Sequence, residues 1–345
     1  MAWITEEAML KIALAGFSQG YYAVQYTRYL SKLKEIDIIG ICDMGMEETY
    51  VRECAFLSAE EFARELQTPL YHSYEELLEL KPDALLICNE TKDHGTIAEK
   101  AISKGIHIFV SKPLGFTESQ IVGLEKVKND NTCLLCGNPL KYEQGIVELH
   151  NRLLSKEIGD VYSIRIMLNH LAMTEQAWER DPVRSGGPFG TYGVYLFDLA
   201  KWLTGKQLME LVAIGENYAT PQIKVPDTVK ILGIQKDGSQ CLLELYSGIR
   251  HEYPFIQVEA VGSLGTLITK YDNYSVIEQT KMAVKLGALR STNMTVGEME
   301  HFLDCIKHKA AERCSLTDMI YVVRCIDAAL LSMKQQKFIT LERGN

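Results

Sequence analysis

Four short apolar runs, each joined to the next by a stretch with helical spacing, constrain this chain more than any other feature. KIALAG (11–16), IDIIGICD (36–43), DALLICN (83–89) and IHIFVSK (106–112) are nearly continuous in apolar residues, as strands buried on both faces are. Between them, Ala23, Tyr26, Leu30 and Leu33 recur at helical spacing, and the pairs Ser58/Glu61 and Ser73/Glu76 have the spacing of capping boxes. Gly105 ends the helical stretch 94–105, and Thr117 with Gln120 opens another. Alternating strand and helix predicts α/β architecture, a doubly wound parallel sheet of the Rossmann type.

The pattern changes near Cys133. VYSIRIML (161–168), LMELVAIGENY (208–218), TVKILGIQ (228–235), CLLELYSG (241–248), FIQVEAVG (255–262) and GTLITKY (265–271) are successive strand candidates. Helices are predicted at 141–155, 192–204, 297–309 and 317–334. This series predicts an α+β domain with a large, mostly antiparallel open sheet. Asn129-Asp130-Asn131 interrupts the first pattern, so residues 1–130 are expected to form the dinucleotide-binding domain and 131–345 the substrate-binding and oligomerisation domain. A chain of 345 residues is long for one core.

A net charge of −9 argues against nucleic acid or an anionic membrane as the main partner. No window is long and apolar enough for a membrane span, and the acidic start of the chain does not read as a signal peptide. Nine cysteines, an odd number mostly within apolar runs, fit reduced thiols and a cytoplasmic location. Cys133 and Cys136 form a C-x-x-C without a second pair or a nearby histidine, so they read as core thiols rather than a zinc or redox motif. The eight histidines show no ligand spacing, and no metal is expected.

LAGFSQGYY follows the first strand and opens the first helix, where a dinucleotide pyrophosphate would meet a helix N-terminus. Of the G-x-G-x-x-G pattern only Gly16 is in place; Ser18 and Tyr21 fill the other two positions, with Gly20 one residue early. A plain strand-to-helix turn and a cofactor loop both fit this stretch. Asp43, at the end of the second strand, is placed to accept hydrogen bonds from a ribose or to be a solvated turn residue. No arginine follows it to meet a 2′-phosphate, so NAD is favoured over NADP.

With Ser111-Lys112-Pro113-Leu114-Gly115 and SGGPFGTYGVYLFDLAKWLTG (185–205), the chain resembles the glucose–fructose oxidoreductase / inositol dehydrogenase (Gfo/Idh/MocA) family over nearly its full length. That family carries Glu-Lys-Pro at the first of these places. At the second it has a Gly-Gly turn, then Asp, three residues, His or Tyr, two residues and Asp. Gly186-Gly187 make the turn here, Tyr195 holds the His/Tyr position and Asp198 the last Asp, while Thr191 replaces the first Asp. Gly262 and Gly265-Thr266 resemble its late Gly-x-x-Gly-Thr turn. Other departures are Ser111 for Glu, Asn89-Glu90 for Thr-Pro, and Lys141-Tyr142 for Arg-Phe.

The resemblance implies an NAD(P)-dependent dehydrogenase or reductase of a sugar, polyol or related hydroxyl compound. It would take Lys112, Tyr195 and Thr191 as catalytic residues. Gly16, Phe17, Ser18, Gln19, Gly20, Asp43, Cys88, Asn89, His94, Lys112 and Pro113 would border the cofactor. Asn169, His170, Trp178 and Tyr195 would border the substrate. An ammonium at Lys112 favours the phenolate of Tyr195, lowering a pKa that starts near ~10. Against these roles stand a strand-capping surface lysine at 112, a packed core tyrosine at 195 and a backbone-satisfied loop histidine at 170. The joint loss of loop glycines and of the Asp and Glu keeps a second class open, a non-catalytic binder of a nucleotide or sugar. The open sheet predicts a homodimer or homotetramer.

Overall fold

The computed structural model describes residues 9–171, 177–219, 221–249, 255–270, 275–280, 284–288 and 293–341; the first eight residues and Tyr271 of the last strand candidate lie outside them. In chain order the first part contains β1 (Leu10–Ala15), α1 (Gly20–Leu30), β2 (Ile36–Cys42), α2 (Glu48–Ala55), α3 (Ala59–Leu66), β3 (Leu70–Tyr71), α4 (Tyr74–Glu79), β4 (Ala84–Ile87), α5 (Thr91–Ser103), β5 (His107–Val110), α6 (Glu118–Ile121), α7 (Leu124–Val127) and β6 (Leu134–Cys136). Among the described residues its sheet has six strands in the order β3-β2-β1-β4-β5-β6, and every pairing is parallel. This is the doubly wound order expected of alternating strands and helices.

Local sequence explains much of this. Ile12, Leu14, Leu85, Leu86, Ile108 and Phe109 are fully buried, which is why these strands are apolar without alternation. Ser58 and Ser73 accept hydrogen bonds from the backbone of Glu61 and Glu76, and each glutamate carboxylate accepts one from the backbone N–H of its cap, so both capping boxes form. The helix α2 has only Val51, Cys54 and Ala55 buried, too thin a stripe to register as a pattern in the sequence.

The second part contains α8 (Gln144–Leu154), β7 (Val161–Leu171), α9 (Ala177–Arg180), α10 (Pro182–Ser185), α11 (Gly187–Thr204), β8 (Leu208–Glu216), β9 (Thr228–Gln235), β10 (Gln240–Ile249), β11 (Ile256–Gly262), β12 (Gly265–Lys270), β13 (Ser275–Thr280), β14 (Val284–Ala288), α12 (Met294–His308), α13 (Leu316–Gln335) and β15 (Ile339–Thr340). Among the described residues, nine strands follow the order β14-β13-β12-β11-β7-β10-β9-β8-β15. β7 and β10 run parallel and the other pairs antiparallel.

The chain divides into two compact units. The first holds Met1–Gly115, Ser119–Gly137 and Thr295–Leu316, and the second Phe116–Glu118, Asn138–Met294 and Thr317–Asn345. Residues 295–316 belong with the first because α12 packs there: Phe302 meets Phe109 with ring centroids 5.7 Å apart, and Glu298 accepts a 2.6 Å hydrogen bond from the Tyr26 hydroxyl.

Candidate active site

In the first unit, the loops after β1, β4 and β5 are tied by main-chain groups. The Gln19 amide donates to the Cys88 carbonyl at 2.9 Å, and its side-chain Nε2 donates to the Lys112 carbonyl at 2.7 Å. The two nitrogens of His94 face carbonyl oxygens, Nδ1 that of Pro113 at 2.7 Å and Nε2 that of Asn89 at 2.9 Å. Gly16 lies so close to Asn89 that an added Cβ would come within 2.4 Å of the asparagine Cβ, and its φ of +89° suits glycine. The structure thus brings Gly16, Gln19, Cys88, Asn89, His94, Lys112 and Pro113 together. The peptide between Lys112 and Pro113 is cis, and Lys112 is buried.

The contributions differ by residue. Phe17 is a core residue, its ring edge-on to Phe62, so it offers the site only its backbone. Ser18 is buried and receives the Tyr50 hydroxyl at 3.1 Å; the same hydroxyl reaches Glu90 at 3.1 Å, a buried carboxylate that also meets Lys92 at 3.3 Å. Burial pushes the Cys88 thiol up to about 12, which makes it inert. His94 is fully buried, and desolvation depresses its pKa to about 4 although the Pro113 and Asn89 carbonyls pull the other way. A neutral imidazole has one N–H, so it can donate to only one of the two carbonyls at a time.

Buried side-chain polar atoms are usually paired. At these loops the amide of Asn89, Oε1 of Gln19 and Oγ1 of Thr91 have no hydrogen-bond partner among the described residues. Gly16's tight turn, the start of α1 and these free donors and acceptors fit a polar, anionic ligand such as a dinucleotide. Asp43 closes β2 and is buried; its carboxylate accepts from the Gly45 amide at 2.8 Å and lies 3.0 Å from Nδ1 of the exposed His72. The hydrogen bond and charge of Asp43 raise the His72 pKa. That histidine escapes a sequence reading, because it reaches Asp43 only through the pairing of β2 with β3.

In the second unit, α11 carries Thr191, Tyr195 and Asp198 at spacings that put them on one side of the helix. The helix begins five residues earlier than the apolar spacing suggests, because Pro188 is compatible with a first turn and Gly186, with φ of +81°, precedes it. Thr191 Oγ1 donates to the Ser185 carbonyl at 3.4 Å, and both Thr191 and Tyr195 are buried. β7 runs three residues past its predicted end, which places Asn169 and His170 on the strand rather than in a loop. The His170 ring stacks on Tyr192, the neighbour of the site on α11, at 4.0 Å. Trp178 is a fully buried side chain.

Asp198 accepts from Lys141 Nζ at 2.7 Å and from Asn138 Nδ2 at 2.6 Å, and the lysine and aspartate side chains are 1% and 2% exposed. This network was not legible as a pair, although Lys141 and Asp198 each stand at positions the sequence singles out. Two cavities of about 560 and 550 Å³ border α4 and are lined by charged residues such as Glu79 and Lys104; none of the candidate residues lines either. They are open surface grooves, not the site. No metal-holding group of His, Cys, Asp or Glu occurs among the described residues.

Comparison with known proteins identifies the family and the fold. The family model GFO_IDH_MocA, an oxidoreductase family NAD-binding Rossmann fold, matches residues 10–136, and the model of that family's C-terminal alpha/beta domain matches 151–341. The inositol 2-dehydrogenase of Rhizobium meliloti (strain 1021) is 23% identical over 275 residues, covering 75% of this chain and 81% of the relative. The scyllo-inositol 2-dehydrogenase (NAD(+)) of Bacillus subtilis (strain 168) is 22% identical over 277 residues, 72% of this chain and 75% of the relative. An oxidoreductase of Agrobacterium radiobacter, solved with NAD+, L-tartaric acid and magnesium, superposes with a TM-score of 0.82 at 16% identity, covering 97% of this chain and 99% of its own.

Proposed function

We propose that this chain, which belongs to the Gfo/Idh/MocA oxidoreductase family, is an NAD-dependent dehydrogenase of a sugar or polyol, with inositols the first class to test. The observation that carries the reading is the set of loops after β1, β4 and β5, tied together around Lys112 and holding buried polar atoms without partners among the described residues. The names of the inositol dehydrogenases among the relatives support the substrate class.

In this reading the turn at Gly16 to Gly20 receives the pyrophosphate, Asp43 the adenosine ribose, and Asn89 and Pro113 border the nicotinamide end. A bound NAD supplies the hydride acceptor. The protein's part is to move the hydroxyl proton and to fix the carbinol carbon. Lys112 and Tyr195 form one acid–base unit: the ammonium stabilises the phenolate, which takes the hydroxyl proton as the hydride leaves. Thr191, a neutral hydroxyl, orients Tyr195 without adding charge. Asn169, His170 and Trp178 border the polyol. Asp43 disfavours a 2′-phosphate, so NAD is preferred to NADP, and the assembly is a homodimer or homotetramer.

The test is absorbance at 340 nm with NAD and a panel of inositols, aldoses, amino sugars and nucleotide sugars, alongside a calorimetric titration with NAD. Turnover on a polyol supports the reading. Tight NAD binding with no turnover on any class would return the chain to a non-catalytic binder, and absence of NAD and NADP binding would overturn the proposal. Light scattering that gives a monomer at micromolar concentration would overturn the oligomer.

A further inference from the structure

The C-x-x-C of the sequence resolves in an unexpected way. All nine cysteines are free and buried, and Cys133 is hydrogen-bonded not to Cys136 but to Cys305 of α12. Cys133 immediately precedes β6 and Cys305 stands one turn from the end of α12, both within the first unit. A cavity of about 270 Å³ opens on the pair; Lys128, Lys309 and Glu312 line it together with both cysteines. The two cysteine residues are 5% and 7% exposed, and both line this cavity.

The surroundings of the two sulfurs differ. Nε2 of His301, one helical turn before Cys305, lies 3.5 Å from its Sγ. The Arg313 amide also approaches that Nε2, at 3.3 Å, which marks it as an acceptor able to take the thiol proton. The hydrogen bond from Cys133 and then His301 hold the Cys305 thiol below its usual range, while the same bond and burial hold Cys133 above it. Glu312 opposes ionisation of Cys305 and is itself paired with Lys128 at 3.3 Å. The Cys133 amide donates to Nδ1 of His107 at 2.9 Å, which holds its backbone in place. A proximal base, a resolving thiol in contact and a small polar mouth are the parts of a peroxide-reactive pair.

We infer that Cys305 and Cys133 form a reversible oxidation site for hydroperoxides, with Cys305 as the attacking thiolate and Cys133 as the resolving thiol. In the first step the Cys305 sulfur attacks the peroxide, the O–O bond breaks, an S–O bond forms, and the leaving oxygen departs as water with the proton taken up by His301. In the second step the Cys133 sulfur attacks that sulfenic acid. The S–S bond forms, the S–O bond breaks, and the oxygen leaves as a second water with the Cys133 proton. With hydrogen peroxide the sum is two thiols and one peroxide giving one disulfide and two waters, an organic hydroperoxide yielding its alcohol in place of the first water, and an added dithiol reverses it. The bond would join α12 to the last strand of the first sheet.

The test is peptide mapping of the folded wild-type protein after hydrogen peroxide, quenched with an alkylating agent before digestion. A Cys133–Cys305 peptide pair that dithiothreitol removes is expected, with the other seven cysteines recovered as thiols. The Cys133→Ser protein should trap a dimedone-reactive Cys305, and His301→Asn should slow alkylation of Cys305 by iodoacetamide at pH 7 by roughly tenfold, with circular dichroism confirming folding. Oxidation that spares Cys305 in the wild type, a disulfide to any other cysteine, or alkylation that requires denaturant would overturn the inference.

Discussion

The two buried lysines at the family's landmark positions are held in different ways. Lys141, in the second unit, is locked at 2.7 Å to Asp198, which Asn138 also binds. Lys112, in the first unit, sits at a strand end whose backbone carbonyl is fixed by Gln19 and whose next carbonyl is fixed by His94. One lysine is built into a charge network and the other is positioned by its main chain. The contrast teaches where stability and chemistry are invested: a closed ion pair specifies a core, whereas the bonds to the carbonyls of Lys112 and Pro113 fix the main chain from which a lysine proposed for proton transfer projects. Replacing each lysine should therefore have different symptoms.

The largest effects should fall on rate. Lys112→Met and Tyr195→Phe should each lower kcat by ~10²–10⁴-fold with NAD affinity and melting temperature nearly unchanged. Loss of NAD binding in step with kcat would erase the contrast. Next in size, Asp198→Ala should destabilise by roughly 3–5 kcal/mol in urea, because it leaves Lys141 buried and charged. A loss below about 1 kcal/mol would show that the pair is not the closed network described.

The third effect is a pH dependence set by His94. Its pKa is depressed to about 4 in the folded state, so the unfolded chain binds a proton there first as pH falls. Stability from this site is complete above the unfolded value of ~6.5 and is lost as pH drops towards 4, by roughly 3 kcal/mol in all. His94→Gln should flatten that part of the stability–pH curve; an unchanged slope between pH 6.5 and 4.5 would refute the assignment.

Smaller again, Asp43→Ser should shift the NAD-to-NADP preference by about tenfold, or ~1.4 kcal/mol. Because the His72 pKa is raised, wild-type preference should weaken as pH falls and the imidazole becomes charged beside Asp43. Competition binding at pH 6 and pH 8.5 checks both, and equal preference at the two values would remove His72 from the account. Thr191→Ala, which removes only an orienting hydroxyl, should cost kcat a few-fold in the same assay.

Much of the fold was legible because it rests on local signals. Buried parallel strands show as unbroken apolar runs, and Ser58/Glu61 and Ser73/Glu76 announce helix starts within four residues. The family could be read from Lys112-Pro113 and the stretch around Gly186 and Tyr195 for a similar reason: its landmarks are contiguous. What escaped depends on partners distant in sequence. Lys141 with Asp198, His72 with Asp43, and Cys133 with Cys305 are each created by strand or helix packing that no spacing announces. The thin buried stripe of α2 and the extra residues of β7 carry too little periodicity to be seen.

The most direct test of the central claim is the double variant Lys112→Met with Tyr195→Phe, assayed for NADH formation beside the two singles under saturating NAD and substrate. Groups that act as one acid–base unit are not additive, so the account predicts a kcat within a few-fold of the worse single variant. A double variant whose loss equals the product of the two single losses would contradict it, because the two residues would then serve the reaction independently.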